Sequence, residues 1–416
     1  MANADFSETY FVGTINSAIS HVTWGEYQVT IYYPAISHGV GQPPERRGAP
    51  YPAIVFAHGF ACTKDDYRWI GNYCALHGYV SILFTTPSRF DPFLAFPQSA
   101  DGFSASIDYL ISQNQENGSL LEGIVDEERI GVMGHSMGAM ASLAAAAKDP
   151  RIKAVVSLAP GYFDFLSLTE TYLEAAKLIT APTQIIMGSE DTICLPSSGR
   201  KYYDVIPAEK EMLIINGAFH DLGIWNAGTE PIWLGAIPGF DPIKQERYRN
   251  ITTRYFISWF NYHLYRHYDY EIYIYGEEAW RDLESGLLSD LENSREYTIT
   301  IVDEQSNPIE NCKVTLYNQK GTILWNATTN ANGTTQFKLS LTPLNYTDNL
   351  RLEAVKENIS SSYEIKSLYT LGSNTIILVL SETQTIPEYP SLIYLAAVCA
   401  VSSLIGIAFS ILKRKQ

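Results

Sequence analysis

Basic residues are scarce in this chain, and the deficit sets a first limit on its partners. Lys and Arg number 29 against 45 Asp and Glu, which gives a formal net charge of −16. A protein that binds nucleic acid needs a basic surface to displace the counterions of the phosphates. The charge therefore argues against a nucleic-acid partner and is compatible with an acidic, outward-facing surface.

Cysteine is also rare, and its spacing argues against a structural metal. The five cysteines form no C-x-x-C pair and no cluster with histidines at the spacing of a zinc site. Cys62 and Cys74 could form one local disulfide in an oxidising compartment. Buried free thiols are the alternative, and the sequence leaves both open.

The bulk composition indicates neither a disordered chain nor a repeat protein. Hydrophobic residues make up 46% of the chain and charged residues 18%, which is typical of a packed globular protein. No period is long enough to indicate repeats. A chain of 416 residues has room for two domains, one of them large.

Charged residues are absent from residues 391–412, an apolar segment that begins after Pro390. About 20 apolar residues suffice to cross the hydrocarbon core of a bilayer. The basic tail at 413–416 favours a cytoplasmic end. We therefore predict one transmembrane helix over 391–412 with everything before it outside the cell. A buried helix of a soluble protein is the alternative.

A secretion signal, which this topology requires, is not visible at the amino end. The Ala-Asn-Ala that follows Met1 resembles the end of a cleavage site, so we expect that a natural signal has been removed. A tail-anchored protein facing the cytoplasm is the competing interpretation. Glycosylation sequons favour the outside. Their asparagines are Asn117, Asn250, Asn326, Asn332, Asn345 and Asn358.

Short apolar runs alternate with helix-like segments across residues 10–268. The runs fall at 53–60, 80–87, 129–135, 152–160, 183–191 and 211–220. This alternation predicts an α/β fold with a doubly wound, mostly parallel sheet, whose chemistry lies at the carboxyl ends of the strands. We expect this domain to end near residue 268.

The residue pattern of the sequence changes after residue 268. Residues 269–295 suggest a partly helical connector, and residues 296–381 show short alternating strands separated by turn clusters. That pattern predicts a small β-sandwich. Residues 382–390 would form a stalk in front of the apolar segment.

One motif in the alternating region, "IGVMGHSMGAM", carries a candidate nucleophile. Ser136 stands between Gly134 and Gly138 in the G-x-S-x-G spacing of a nucleophile elbow. A strand that turns sharply into a helix strains the backbone of the serine, and side chains at the two glycine positions would collide there. The pattern predicts that Ser136 lies at such a turn.

A serine hydroxyl needs a base, and the base needs an acid that orients it. In this kind of fold the partners follow the serine in the order acid, then histidine. Asp191 follows one apolar strand and His220 follows the next, so both should lie on the edge of the sheet that carries Ser136. Glu190 and Asp164 are alternatives for the acid.

The oxyanion of a tetrahedral intermediate needs fixed backbone N–H donors. We assign one to Met137, directly after the nucleophile at a helix N-terminus, and the other to Phe60 in the "AHGFACTKDD" loop. His58 is predicted to brace that loop. His135 is predicted to pack beneath the elbow.

These motifs carry a family resemblance over about residues 10–265. "HGF", "GHSMGA", "GSEDTICLP" and "NGAFHDLG" resemble the cutinase and polyester-hydrolase branch of the α/β-hydrolases, with dienelactone hydrolases and chlorophyllase-like proteins as relatives. The resemblance implies a Ser136–His220–Asp191 triad with Phe60 and Met137 as oxyanion donors. The cysteine nucleophile of dienelactone hydrolases is absent here.

The resemblance also concerns the substrate groove and the C-terminal region. Several cutinase-type enzymes carry a tryptophan where this chain has "LAPGYFDF", so Tyr162 or Phe163 could take its place. Phe93 in "FDPFLAFP" could form another groove wall or anchor the loop. Residues 296–381 resemble Ig-like modules of the carboxypeptidase-regulatory type.

Together these features predict a serine esterase tethered at the cell surface that acts through an acyl-enzyme without metal or organic cofactor. Its substrate would be a lipid, a polyester or an acylated polymer. A serine peptidase of the same fold is one alternative, although no large screening domain interrupts the chain. A surface adhesion or scaffold protein is the other.

Overall fold

The computed structural model describes residues 9–163, 167–224, 244–341, 350–357, 359–365 and 375–380. The described chain falls into two compact units. The first runs to Thr298 and takes in described residues of Gln336–Leu350 and Ile365–Thr375. The second comprises described residues of Ile299–Thr335, Arg351–Glu364 and the segment from Ile376 onward.

Strands and helices alternate through most of the first unit. The strands are β1 Phe11–His21, β2 Gly25–Ala35, β3 Gly39–Val40, β4 Tyr51–Ala57, β5 Val80–Thr85, β6 Val125–His135, β7 Ile152–Leu158, β8 Thr183–Gly188, β9 Lys210–Ile215 and β10 Leu288–Val302. The helices are α1 Arg68–Leu76, α2 Pro92–Gln115, α3 Met137–Lys148, α4 Ser167–Ala176, α5 Pro196–Val205, α6 Gln245–Phe260 and α7 Glu277–Glu284.

These strands form one mixed sheet in the order β3-β1-β2-β5-β4-β6-β7-β8-β9-β10. Strands β5, β4, β6, β7, β8 and β9 run parallel, whereas β1 and β2 form an antiparallel hairpin at one side. Every residue of β4 is buried, as expected for a parallel strand covered on both faces. The predicted α/β sheet is therefore confirmed.

Helices cover both faces of this sheet. Residues of α2, α3, α4 and α5 join one hydrophobic cluster, and residues of α1, α6 and α7 join another. Two buried layers of this kind leave the strand ends as the open edges of the sheet. Loops at the carboxyl ends can therefore carry polar side chains together without disturbing either core.

The segment for which the sequence suggests a connector contains regular structure. It carries α7 and the start of β10, which pairs antiparallel with β9 from Leu288 opposite Ile215 to Ser294 opposite Lys210. The sheet therefore gains a strand from residues that the sequence analysis placed between domains.

The C-terminal region is a β-sheet region, which agrees with the predicted run of short strands. Its strands are β11 Lys313–Tyr317, β12 Ile323–Thr328, β13 Thr334–Leu341, β14 Leu350–Lys356, β15 Ile359–Ile365 and β16 Thr375–Val379. Four of them form a sheet in the order β12-β11-β14-β15.

Two further expectations concern cysteines and the membrane. Cys62 and Cys74 are buried free thiols, so the disulfide alternative is not formed. None of the helices in the described ranges is long and apolar enough to span a bilayer. The predicted stalk, transmembrane segment and basic tail, residues 382–416, lie outside the described residues, as do residues 1–8.

Candidate active site

Ser136 occupies the turn between β6, which ends at His135, and α3, which begins at Met137. Its backbone has φ 56° and ψ −112°, a conformation that residues with a side chain rarely adopt. Such strain costs about 1–3 kcal/mol and persists where the surrounding structure enforces it. Here the strand and the helix enforce it from either side.

The two flanking glycines are required by this turn. A Cβ at Gly134 would overlap the carbonyl oxygen of Gly138, and a Cβ at Gly138 would overlap the carbonyl oxygen of Ala57. Both obstacles are backbone atoms, which have no rotamer into which they could move. The G-x-S-x-G spacing therefore has the steric basis that the sequence analysis gave it.

Asp191 and His220 lie in the loops that follow β8 and β9, on the same edge of the parallel sheet as Ser136. His220 Nδ1 is 2.8 Å from Asp191 Oδ2. The other carboxylate oxygen, Oδ1, accepts the amides of Ile193 and Cys194 at 2.9 and 2.8 Å. The carboxylate is thus fixed by its own loop and aimed at the imidazole.

The residue before Ser136 lies beside this pair. The ring of His135, the residue before Ser136, has its centroid 4.7 Å from that of His220. Within the described ranges Ser136 Oγ donates no hydrogen bond to another residue. Bonds between nucleophile and base are often long in unliganded hydrolases and tighten when substrate binds.

The surroundings of His220 act on its pKa in opposite directions. Burial lowers it, whereas Cys194 and the Asp191 carboxylate raise it, and the net pKa lies above the ordinary value for histidine. Glu190, an alternative acid, has an exposed side chain. Asp164, the other alternative, lies outside the described residues. Of the three candidate acids, Asp191 is the one that the described residues show bonded to His220.

The expected oxyanion donors flank the nucleophile. Met137 opens α3, and the first amides of a helix have no partner within it. Phe60 lies in the loop after β4, next to Gly59, where an added Cβ would come within 3.4 Å of Ser136 Cβ. The two candidate donors thus belong to elements that adjoin the hydroxyl.

Two other histidines hold the loops of the site. His58 Nδ1 donates to the carbonyl oxygen of Gly59 at 2.6 Å, because its Nε2 accepts the amide of Thr86 at 2.9 Å. Burial is the main reason that the pKa of His58 falls to about 4, so this ring stays neutral. The bracing position predicted for His58 agrees with this geometry.

His135 bonds to two different loops, and one partner was missed by the sequence analysis. Its Nδ1 lies 2.8 Å from Tyr67 Oη, and its Nε2 lies 2.8 Å from the carbonyl oxygen of His220. Tyr67 follows Phe60 by seven positions, in a segment whose pattern predicts only a helix. Nothing in that spacing singles it out.

The candidate groove residues differ in their exposure and in their contacts. Tyr162 is half-buried, donates to Glu170 Oε2 at 2.6 Å and has Lys201 Nζ 3.7 Å from its ring centroid. Phe163 is half-buried, and its ring occupies the space that a Cβ at Gly161 would need.

Phe93 stands at the start of α2 and is 77% exposed. An exposed ring does not anchor a loop. The loop that precedes α2 is instead held to the Phe60 loop by the amide of Ala61, which donates to the carbonyl oxygen of Arg89 at 3.1 Å.

No set of three or more His, Cys, Asp or Glu side chains in the described ranges is grouped so that it could bind a metal ion.

Comparison with known proteins gives a family match over this same region. A family model described as PETase, PET hydrolase-like, matches residues 10–237. Cutinase est1 of Thermobifida alba is 32% identical over 195 residues, which cover 46% of this chain and 57% of that protein. Cutinase 2 of Thermobifida cellulosilytica is 30% identical over 195 residues, covering 46% and 64%.

A bis(hydroxyethyl) terephthalate hydrolase of Streptomyces coelicolor is also similar, at 30% identity over 196 residues that cover 46% of this chain and 54% of that protein. The chain thus spans little more than half the length of the curated relatives it matches. The expected resemblance to cutinases and polyester hydrolases is confirmed by these matches.

Proposed function

The chain belongs to the PET hydrolase-like family, and from that premise we propose that it is a serine hydrolase of carboxylic esters. One observation carries the proposal. The buried Asp191–His220 hydrogen bond lies on the sheet edge where the strained turn presents Ser136. A hydroxyl, an imidazole and an orienting carboxylate in that order form the machinery of acyl transfer.

In the proposed reaction Ser136 Oγ attacks the ester carbonyl while His220 accepts its proton. Asp191 holds the imidazole in one tautomer and stabilises the imidazolium. The amides of Phe60 and Met137 donate to the oxyanion of the tetrahedral intermediate, and removal of one such donor costs about 3 kcal/mol in other enzymes.

The alcohol then leaves with the proton held by His220, and an acyl group remains on Ser136. Water activated by the same histidine attacks this acyl-enzyme and releases the acid. His220 is only 3% exposed, so its hydrogen bond to Asp191 is not exchanged for solvent.

The proposed substrates are esters with an apolar acyl or alcohol part, in a lipid, a polyester or an acylated polymer. Two exposed apolar side chains support this choice: Phe60, in the loop that adjoins Ser136, is 38% exposed, and Phe93, at the start of α2, is 77% exposed. The names of the relatives, cutinases and a bis(hydroxyethyl) terephthalate hydrolase, point in the same direction.

We further propose that the enzyme is a glycoprotein held at the outer cell surface by the apolar segment 391–412, with residues 296–381 as an Ig-like spacer. The support is sequence-based, apart from the exposure of the described sequon asparagines. Those exposed asparagines are Asn117, Asn250, Asn326 and Asn332.

Hydrolysis of p-nitrophenyl acetate and butyrate by the full chain tests the proposed chemistry. The parent should turn over both esters, and Ser136→Ala should abolish turnover without a change in thermal unfolding. A Ser136→Ala protein as active as the parent would refute the proposal. A panel that extends from short esters to polyester film would then define the substrate class.

A further inference from the structure

A relay of three hydrogen bonds joins the loop after β4 to the loop after β9. The amide of Gly59 donates to Tyr67 Oη at 3.1 Å. Tyr67 Oη and His135 Nδ1 are 2.8 Å apart, and His135 Nε2 and the carbonyl oxygen of His220 are 2.8 Å apart. Tyr67 is 0% exposed and His135 is 1% exposed, so water does not compete for these bonds.

The direction of each bond follows from counting protons. The carbonyl oxygen of His220 can only accept, so His135 Nε2 carries the hydrogen and donates it. His135 Nδ1 must then accept, which requires the single hydroxyl proton of Tyr67. The hydroxyl oxygen then accepts the amide of Gly59. Each of the three bonds therefore has one donor and one acceptor, provided that His135 is neutral.

His135 is held in that neutral state. Burial, and then the neighbouring charge of His220, lower the pKa of His135 well below its ordinary value. The relay therefore keeps the same donor order across the pH range in which a serine hydrolase works.

The packing around the relay leaves it little freedom. A Cβ at Gly59 would come within 3.1 Å of both His135 Nδ1 and Tyr67 Oη. The Tyr67 ring also packs against Phe56 of β4, with centroids 5.0 Å apart. The hydroxyl is thus held at one point between the two loops.

We infer that Tyr67 is a positioning residue of this site, acting through His135 on the base and through Gly59 on the oxyanion loop. On one side the relay fixes the backbone of His220. On the other it fixes the amide of Gly59, the residue before Phe60. The inference rests on the proposed ester hydrolysis, because that proposal makes His220 the base and the amide of Phe60 an oxyanion donor.

A positioning role predicts a particular kinetic signature. The base and the oxyanion donor act on the transition state, whereas the ground-state ester is bound by the groove. Loss of the hydroxyl should therefore lower kcat and leave KM nearly unchanged. Misplacement of catalytic groups by about 1 Å can cost on the order of 100-fold.

The first test is Tyr67→Phe in the full chain, with Tyr79→Phe as the matched control. Tyr79 is equally buried and donates to Asn261 Oδ1 at 2.6 Å, but its hydroxyl contacts neither loop. With p-nitrophenyl butyrate we expect Tyr67→Phe to lower kcat by about 10- to 100-fold, and its affinity for a boronic acid transition-state analogue to fall alongside. KM should change less than twofold, and Tyr79→Phe should match the parent in every constant.

The second test uses His135 and also serves if Tyr67→Phe does not fold. The amide of His135→Gln can accept from Tyr67 and donate to the carbonyl oxygen of His220, so it should keep most of kcat. His135→Leu should lose as much as Tyr67→Phe, and the double variant Tyr67→Phe/His135→Leu should lose no more than either single one.

The inference fails if Tyr67→Phe keeps kcat within twofold of the parent, or if the two losses add in the double variant. It also fails if His135→Gln is as inactive as His135→Leu. Ser136→Ala separates these results from failure of the proposed function. If that variant is inactive while Tyr67→Phe is at the parental level, only the positioning role is lost.

Discussion

His220 Nδ1 lies 2.8 Å from Asp191 Oδ2, and neither residue exposes more than 3% of its surface. The remaining oxygen of the carboxylate accepts two backbone amides, so Asp191 has no freedom to rotate away. A carboxylate fixed in this way selects the tautomer of His220 that carries its proton on Nδ1. In the neutral ring Nε2 is then left unprotonated, as the proposed role of His220 as base requires.

Replacing Asp191 by Asn should therefore remove activity while leaving the fold in place. The amide nitrogen can donate to Nδ1, which would favour the wrong tautomer, and a loss in kcat on the order of 10⁴ is expected. Hydrolysis of p-nitrophenyl butyrate measures the loss, and circular dichroism checks the fold. Glu190→Gln, at the exposed neighbouring carboxylate, is the control and should be fully active. A larger loss in Glu190→Gln than in Asp191→Asn would reassign the acid.

The pH dependence of hydrolysis should report the environment of His220. Burial lowers the pKa of the imidazole, but Cys194 and Asp191 raise it, and the net shift is upward. Because only the neutral ring can accept a proton, kcat/KM should fall as pH decreases through a midpoint above about 6.5, the ordinary value. In Asp191→Asn the residual activity should show this midpoint at a lower pH. A parental midpoint below the ordinary value would contradict the assignment of His220 as base.

The positions of the candidate triad could be found from the sequence because each follows a recognisable apolar strand. Ser136 comes directly after β6, Asp191 and His220 lie in the loops that follow β8 and β9, and parallel strands bring their carboxyl ends to one edge. The glycine spacing around Ser136 has a steric cause that is local in the chain. Such local signals can be recognised without knowledge of tertiary packing.

Neither Tyr67, which bonds to His135, nor strand β10 could be found in this way. Tyr67 matters through contacts with His135, 68 positions further along, and a tyrosine on a short helix has no pattern that points there. Strand β10 carries charged residues that obscure its alternation. One of them, Arg295, is only 3% exposed; it pairs with Glu271 and donates from Nη2 to the hydroxyl oxygen of Tyr262 at 2.8 Å. Burial of a charge that is neutralised by a distant partner cannot be deduced from composition.

Gly138→Ala should prevent the turn around the nucleophile from forming correctly. The added Cβ would overlap the carbonyl oxygen of Ala57 and crowd that of His58, both of which are backbone atoms. We expect a loss of at least about 1–3 kcal/mol in unfolding free energy, the usual cost of overpacking, together with loss of esterase activity. Urea unfolding and ester hydrolysis measure the two effects.

Gly118→Ala is the control for this substitution. Gly118 has φ +83°, so an alanine there is strained, but a Cβ would meet nothing within 4 Å. Its cost should be about 1 kcal/mol, with activity unchanged. If Gly138→Ala were no worse than this control, the steric account of the elbow would be wrong.

Glu211 should make the free energy of unfolding depend on pH at pH values above the ordinary pKa of a glutamate. This carboxyl is 0% exposed, faces Asn293 of β10 in the sheet, and accepts a hydrogen bond from Gln184 Nε2 at 2.6 Å. Burial raises its pKa to about 8, even though the bond from Gln184 acts to lower it.

The sign of the effect follows from proton binding. Below about pH 4.5 the group is protonated in both the folded and the unfolded chain, and it contributes no pH dependence. Between that pH and about 8 the unfolded chain has lost the proton that the folded chain still holds, so unfolding becomes progressively easier as pH rises. Each pH unit in this interval costs up to about 1.4 kcal/mol.

Glu211→Gln replaces the carboxyl by a neutral group of the same shape and should abolish this slope. The variant should match the parent at pH 4 and exceed it by roughly 2–4 kcal/mol at pH 8, as measured by urea unfolding across the series. Glu128→Gln, at an exposed carboxylate, should follow the parental curve at every pH. Equal slopes for the parent and Glu211→Gln would mean that Glu211 is already ionised in the folded protein at neutral pH. In that case a group other than Gln184 and Asn293 would have to stabilise the charge of the buried Glu211 carboxylate.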